Sequence, residues 1–243
     1  MILFKYFSIT RHIFYGFYVG IVRLRSANLV QREAIIQQWS LQLLKILEVT
    51  LEIRGELPAY DRGVLYVSNH ISWLDIHVIN AWRPMRFVAK KEVGEWPVFG
   101  WFAKQLNTLF IDRQARGDSF NISSQMAKGL NQQDRICIFP EGTSSDGEFV
   151  LPFKPNLFQS AIVSNAPCQP ISIWYESVLT GQISKGPAFI GDMGLIESIA
   201  NTVKAKPLKV IIHVTPICQI NDDRKALSLE AWNNINTSRL RIN

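Results

Sequence analysis

The stretch 64–81, VLYVSNHISWLDIHVINA, decides the fold. It opens with a short apolar run rich in β-formers, passes through Asn69-His70-Ile71-Ser72, and continues as an apolar segment from Trp73 to Ala81 suited to a helix. A strand that feeds a helix is half of a β-α-β unit, and the alternation recurs on both sides. Strands are predicted at 51–54, 64–68, 86–89, 108–111, 136–139, 171–175 and 208–215. Helices are predicted at 73–81, 98–106, 120–130, 156–164, 195–202 and 229–236. Strands that alternate with helices imply a largely parallel central sheet flanked by helices, an α/β fold. Gly/Pro-containing stretches at 55–58, 152–155 and 186–187 read as connections. No internal repeat, low-complexity tract or domain linker interrupts the pattern.

The N-terminus follows another rule. Residues 1–25 read MILFKYFSITRHIFYGFYVGIVRLR. The longest uncharged run, 13–22, is shorter than the ~20 residues a membrane-spanning helix needs. Arg23 and Arg25 stand where a signal peptide would end in small residues. Phe, Tyr and Ile mixed with Lys and Arg suit a helix lying in a membrane interface; the alternative is a helix packed on the protein's own core. A second helical stretch, 31–50, carries Trp39, Leu43, Leu44, Ile46 and Leu47 on a broad apolar face. The expected organisation is an amphipathic two-helix membrane-docking appendage at 1–50 and an α/β domain at 51–243.

The chain has 243 residues, 47% hydrophobic and 19% charged, which excludes a disordered chain. The net charge of +6 suits anionic partners such as phosphate head groups, coenzyme A or an acidic carrier protein. No long Lys/Arg run or nucleic-acid motif is present, so nucleic acid is not the expected partner. Cys137, Cys168 and Cys218 sit in or beside apolar runs, without metal or redox spacing, and read as reduced core residues.

Three clusters carry chemistry. In the first, His70 follows a strand and Asp75 comes five residues later. On one helix that spacing leaves them about 140° out of phase, so the chain must turn between them if they meet. Ser72 offers an N-cap that places Asp75 near the third helical position. The carboxylate would then hold one imidazole nitrogen and leave the other free to accept a proton. The plainer reading of Ser72-x-x-Asp75 is a capping box. The second cluster, Phe139-Pro-Glu141-Gly142-Thr143-Ser144-Ser-Asp146-Gly147, presents a carboxylate, a flexible backbone and a hydroxyl at a strand end. The third, Phe110-Ile-Asp112-Arg113, offers an arginine for phosphate or a surface ion pair with Asp112. Lys90, Lys91 and Glu92 follow another strand and otherwise read as a solvated charge run.

In order, these segments resemble the glycerolipid acyltransferases, the family of lysophosphatidic acid acyltransferase. The resemblance rests on His-x4-Asp (His70, Asp75), a block ending in Arg113, Phe-Pro-Glu-Gly-Thr (139–143) and a proline-containing apolar strand (Gln169-Pro170-Ile-Ser-Ile). It covers about 51–216. It implies transfer of a fatty acyl group from acyl-CoA or acyl-ACP to the free hydroxyl of a lysolipid, with 1-acyl-sn-glycerol-3-phosphate favoured. No cofactor or metal is implied. By this resemblance His70 is the general base and Asp75 its partner, and neighbouring N–H groups or Lys91 steady the oxyanion. Arg113, Glu141, Gly142 and Thr143 hold the acceptor head group, and Pro170 shapes the site. Membrane association at the cytoplasmic face of the inner membrane is also implied.

Two departures bear on the acceptor. Ser144 stands where many members carry an arginine, and Asn107 where many carry a glycine. Some relatives with a similar Glu-Gly-Thr turn acylate lyso-ornithine lipid or other lysophospholipids. Outside this class, a serine hydrolase would need a Gly-x-Ser-x-Gly elbow, which is absent. A catalytically silent lipid-binding protein would not need His70.

Overall fold

The computed structural model describes residues 2–56, 58–112, 114–115 and 117–240. Seven strands form one sheet: β1 (Val49–Arg54), β2 (Val64–Ser68), β3 (Arg86–Lys90), β4 (Leu109–Ile111), β5 (Arg135–Ile138), β6 (Cys168–Ser177) and β7 (Leu208–Val214). Their order is β1-β7-β6-β2-β5-β3-β4. Every neighbouring pair is parallel except β6 and β7. The strands expected from the sequence are all present.

The helices are α1 (Ile2–Tyr18), α2 (Leu24–Ser26), α3 (Leu29–Leu47), α4 (Leu74–Trp82), α5 (Phe99–Gln105), α6 (Asp118–Asn131), α7 (Gln159–Ser164), α8 (Leu195–Ala205) and α9 (Arg224–Leu240). Alternation along β2 explains the two cores. Leu65 and Val67 point to one face, with Met126 and Leu130 of α6, Phe158, and Leu227 and Ala231 of α9. Tyr66 points to the other, with Leu43 and Leu47 of α3, Leu74 and Val78 of α4, and Val203 of α8.

The second helix ends earlier than the sequence suggests. Glu48 adopts a left-handed conformation (φ 57°, ψ 44°) and donates its N–H to the carbonyls of Leu44 and Lys45. That cap stops α3 at Leu47 and releases Val49 and Thr50 into β1, so the sheet begins before residue 51. A π-helical turn, Val19–Arg23, separates α1 from α2. α1 and the π-helical turn approach α5 closely because Gly16 and Gly20 lack side chains. A Cβ at Gly20 would lie 2.4 Å from the Trp101 ring.

Pro170 occupies a central strand, which would ordinarily forfeit a ladder bond. Here the carbonyl of Thr215, opposite the missing N–H, accepts from Gln169 Nε2 at 2.7 Å. Thr215 N and Oγ1 in turn donate to the Pro170 carbonyl. All three cysteines are buried and free.

Candidate active site

Parallel pairing of β2 and β5 brings the first two clusters together. Val67 pairs with Ile138, so His70 and Glu141 each lie three residues beyond a matched position. Both clusters therefore emerge at the carboxyl edge of the sheet, where open α/β sheets build sites.

His70 Nδ1 lies 2.8 Å from Asp75 Oδ2. The same oxygen accepts from the backbone N–H of Ile71 (2.7 Å) and Ser72 (2.9 Å). Oδ1 accepts from the Tyr175 hydroxyl at 2.7 Å. Asp75 is 0% exposed, and its carboxylate is saturated. It caps the turn before α4 and orients the imidazole at once, so the capping and site readings are both realised. Ser72 caps as expected: its Oγ accepts from Leu74 N and its own N–H donates to Asp75, while Trp73 already has helical dihedrals and the regular bonds of α4 begin at Leu74. Burial and the neighbouring Asp75 push the Tyr175 phenol well above its ordinary range, so it stays a donor. Because Nδ1 faces the carboxylate, it carries the proton, and Nε2 presents a lone pair. Nε2 has no hydrogen-bond partner among the described residues.

The rest of the His70 loop is held by groups scattered along the chain. The ring stacks on Phe139 with centroids 4.1 Å apart. His70 N donates to Glu141 Oε1 at 2.6 Å, and Leu151 N donates to Oε2 at 2.8 Å. The His70 carbonyl accepts from Ser145 N at 2.9 Å. Asn69 exchanges two hydrogen bonds with the backbone of Ile173, at 2.9 and 2.7 Å. Arg239 of α9 donates to the Ile173 carbonyl at 2.9 Å and to the Gly147 carbonyl.

These contacts revise several sequence expectations. Glu141 is buried, commits both oxygens to backbone N–H groups and so braces the His70 loop; it is not part of the cavity lining. Burial raises its carboxyl to about 7. Lys91 pairs with Asp112 at 3.2 Å, is 59% exposed, and lies outside the cavity wall; Lys90, one residue earlier, lines the cavity. The 3₁₀ turn Lys91–Glu95, which begins as β3 ends, accounts for the difference. Gly142, with φ 79°, and Thr143 line the cavity, and Ser144 joins them. Pro170 lies inside the sheet beside Val67, away from the cavity wall. Arg113 lies outside the described residues. Tyr175 and Asn69 carried no sequence signal: one is 100 residues from Asp75, the other is an ordinary loop residue.

The cavity itself has a volume of about 550 Å³ and is lined by His70 together with Lys90, Glu92, Gly142, Thr143 and Ser144 and a larger set of apolar side chains. Ile9 and Ile13 of α1 and Trp39 and Leu43 of α3 belong to that apolar lining, so the N-terminal helices are walls of the site. A mostly apolar pocket with a few polar groups fits a molecule that is mostly hydrocarbon.

A sequence model of the family described as Acyltransferase matches residues 48–174. The chain is 33% identical over 201 residues to a lyso-ornithine lipid O-acyltransferase of Pseudomonas aeruginosa, covering 82% of this chain and 76% of that protein. It is 35% identical over 189 residues to a 1-acyl-sn-glycerol-3-phosphate acyltransferase of Neisseria meningitidis, covering 76% and 72%. The crystal structure of the 1-acyl-sn-glycerophosphate acyltransferase PlsC from Thermotoga maritima shares the fold, with a TM-score of 0.70, 21% identity and 99% and 94% coverage. With a family match across more than half its length, and named O-acyltransferase relatives aligned over most of both chains, this protein belongs to the Acyltransferase family and is a lysolipid O-acyltransferase.

Proposed function

We propose that His70 is the general base of acyl transfer from acyl-CoA or acyl-ACP to 1-acyl-sn-glycerol-3-phosphate at a membrane surface. The observation that carries this reading is the fixed Nδ1–Asp75 contact, which leaves Nε2 of a cavity-lining ring as a base. Nε2 takes the proton of the acceptor hydroxyl as its oxygen attacks the thioester carbonyl. The tetrahedral intermediate expels the thiolate as the C–S bond breaks, and the imidazolium returns its proton to sulfur. Asp75 steadies the transient imidazolium. Lys90, the lysine in the cavity wall, supplies positive charge for the oxyanion or the acceptor phosphate.

One observation favours a second acceptor. Ser144 donates its hydroxyl to the Phe189 carbonyl and contributes no cation, which suits lyso-ornithine lipid better than a phosphate dianion. The test is purified enzyme with one labelled acyl-CoA and a panel of lysophosphatidic acid, lyso-ornithine lipid, lysophosphatidylethanolamine and lysophosphatidylglycerol. His70→Ala should lower turnover of the accepted lysolipid by about 10³-fold. Undiminished turnover in that variant would remove His70 from the mechanism.

Docking is proposed through α1. No helix of the described residues is long and apolar enough to cross a membrane. Yet Phe4, Phe7 and Phe14 are 71%, 66% and 69% exposed, and with Tyr18 and Ile21 they form one stripe along the helix. Arg11, Arg23 and Arg25 are exposed beside it. An apolar stripe edged by basic residues suits an anionic lipid interface, in keeping with a place at the cytoplasmic face of the cell membrane.

A further inference from the structure

Three rings in the wall of the cavity lack what buried polar groups normally have. His12 of α1, Trp39 of α3 and His77 of α4 all line it. His12 and Trp39 stack with centroids 5.0 Å apart, and Trp39 meets His77 edge-on at 5.2 Å. His12 is 5% and His77 9% exposed. His12 Nε2, Trp39 Nε1 and His77 Nδ1 have no hydrogen-bond partner among the described residues and are shut off from solvent. By contrast Trp73, which packs on His77, donates its own Nε1–H to Ser198. Burying three such groups unpaired costs stability, so the cluster calls for a partner, which a water or a ligand group could supply.

We propose that this cluster is an oxygen-recognition station in the acyl groove, selecting a fatty acyl chain that carries a hydroxyl at one position. The proposal rests on the reading that the cavity takes an acyl chain. The Trp39 indole only donates, whereas a neutral imidazole offers one N–H and one lone pair. A hydroxyl can accept from the indole while donating to an imidazole nitrogen, which a bare chain cannot do. A half-turn of either imidazole about χ2 exchanges its ring nitrogen and carbon positions, which gives each ring two ways to present a nitrogen. Both imidazoles stay neutral at physiological pH, because burial lowers His12 to about 4 and His77 to about 3. None of the three rings belongs to the catalytic pair: His12 and Trp39 come from the N-terminal helices, and His77 lies on α4 two residues beyond Asp75.

The test is a competition among acyl-CoA thioesters of one chain length, unsubstituted or bearing one hydroxyl at successive carbons. The acceptor is whichever panel lysolipid turns over, and products are read by mass spectrometry. Wild type should transfer one isomer, or two adjacent ones, about tenfold better than the other hydroxylated chains. In His12→Phe/His77→Phe the readout is the ratio of that isomer to the others, which should fall to about one. A flat isomer profile in the wild type, with brisk transfer of the plain chain, overturns the station and shows that the cluster holds at most a water. Survival of the preference in the double variant overturns it equally. If the double variant fails to fold, Trp39→Phe and the wild-type profile decide. Absence of transfer from every thioester overturns the acyl-groove reading, and the station with it.

Discussion

Glu141→Gln separates a head-group ligand from a brace. In the structure Glu141 accepts two backbone N–H groups, from His70 and Leu151, one on each oxygen. An amide can accept only one of them, and its NH₂ must face the other donor. Leaving one buried N–H unpaired costs about 1–3 kcal/mol, which lowers Tm by about 2–12 °C for a chain of this size. The displaced donor on one of the two outcomes is His70 itself. The variant should therefore lose kcat, by about tenfold or more if the imidazole shifts by a fraction of an ångström, while KM for the acceptor changes little. A head-group ligand would give the opposite split.

The same residue imposes a pH dependence on stability. Its carboxyl is raised from 4.5 to about 7 by burial. Between those values the folded protein keeps a proton that the unfolded chain has lost. That contribution is fully present below about 4.5 and disappears as pH rises through about 7. The gap corresponds to about 3 kcal/mol. Denaturant melts from pH 4.5 to 8 should show a decline in the wild type that Glu141→Gln lacks, since an amide does not titrate. A raised acceptor KM at unchanged kcat, or identical pH profiles for the two proteins, would refute the bracing role.

Other perturbations probe neighbouring contacts. In Asp75→Asn the amide oxygen can keep the three N–H donors while its NH₂ faces Tyr175, so the tautomer survives but the anion is lost; kcat should fall by about 10²–10⁴ with KM little changed, as measured by steady-state turnover. Ser144→Arg breaks the hydroxyl contact with Phe189 and places a cation in the cavity wall. The turnover ratio of lysophosphatidic acid to lyso-ornithine lipid should rise about tenfold or more, the value of one charge-assisted hydrogen bond; an unchanged ratio places the head group elsewhere. Phe7→Ser/Phe14→Ser removes two exposed rings from α1, and flotation with anionic liposomes should drop sharply while the melting temperature holds. Undiminished flotation would sink docking through that stripe.

What could be read from the sequence was whatever lies on one element. The strands are legible because strands covered on both faces are nearly continuous apolar runs: β2 is buried at every position, and β6 at nine of ten. The His70–Asp75 contact is legible because both residues flank one strand-to-helix turn. What depends on register is not. A glutamate before Gly-Thr looks like a ligand until the pairing of Val67 with Ile138 carries it beneath His70. Lys90 and Lys91 are equivalent in a string of letters, and the turn that ends β3 separates them. Tyr175 reaches Asp75 only because β6 runs beside β2.

The N-terminal helices show why a choice between core and membrane could not be made from composition. α1 is apolar on two sides. Ile9 and His12 follow one helical stripe of α1 and are buried, continued by Val19 and Leu24 just beyond it, and the phenylalanines follow another stripe and are exposed. A helix hydrophobic all round is expected to be covered all round, and here the protein covers only half. The covered half forms a wall of the cavity that contains His70. If lipid covers the other half, the wall of the site and the membrane anchor are a single helix. A lysolipid would then meet the catalytic groove at the bilayer surface without its hydrocarbon crossing bulk water, whose avoidance is worth about 0.8 kcal/mol for each CH₂ kept buried. Loosening α1 should accordingly impair turnover of long-chain substrates more than short-chain, micelle-free ones. Equal losses for both would mean that the helix only anchors and does not conduct.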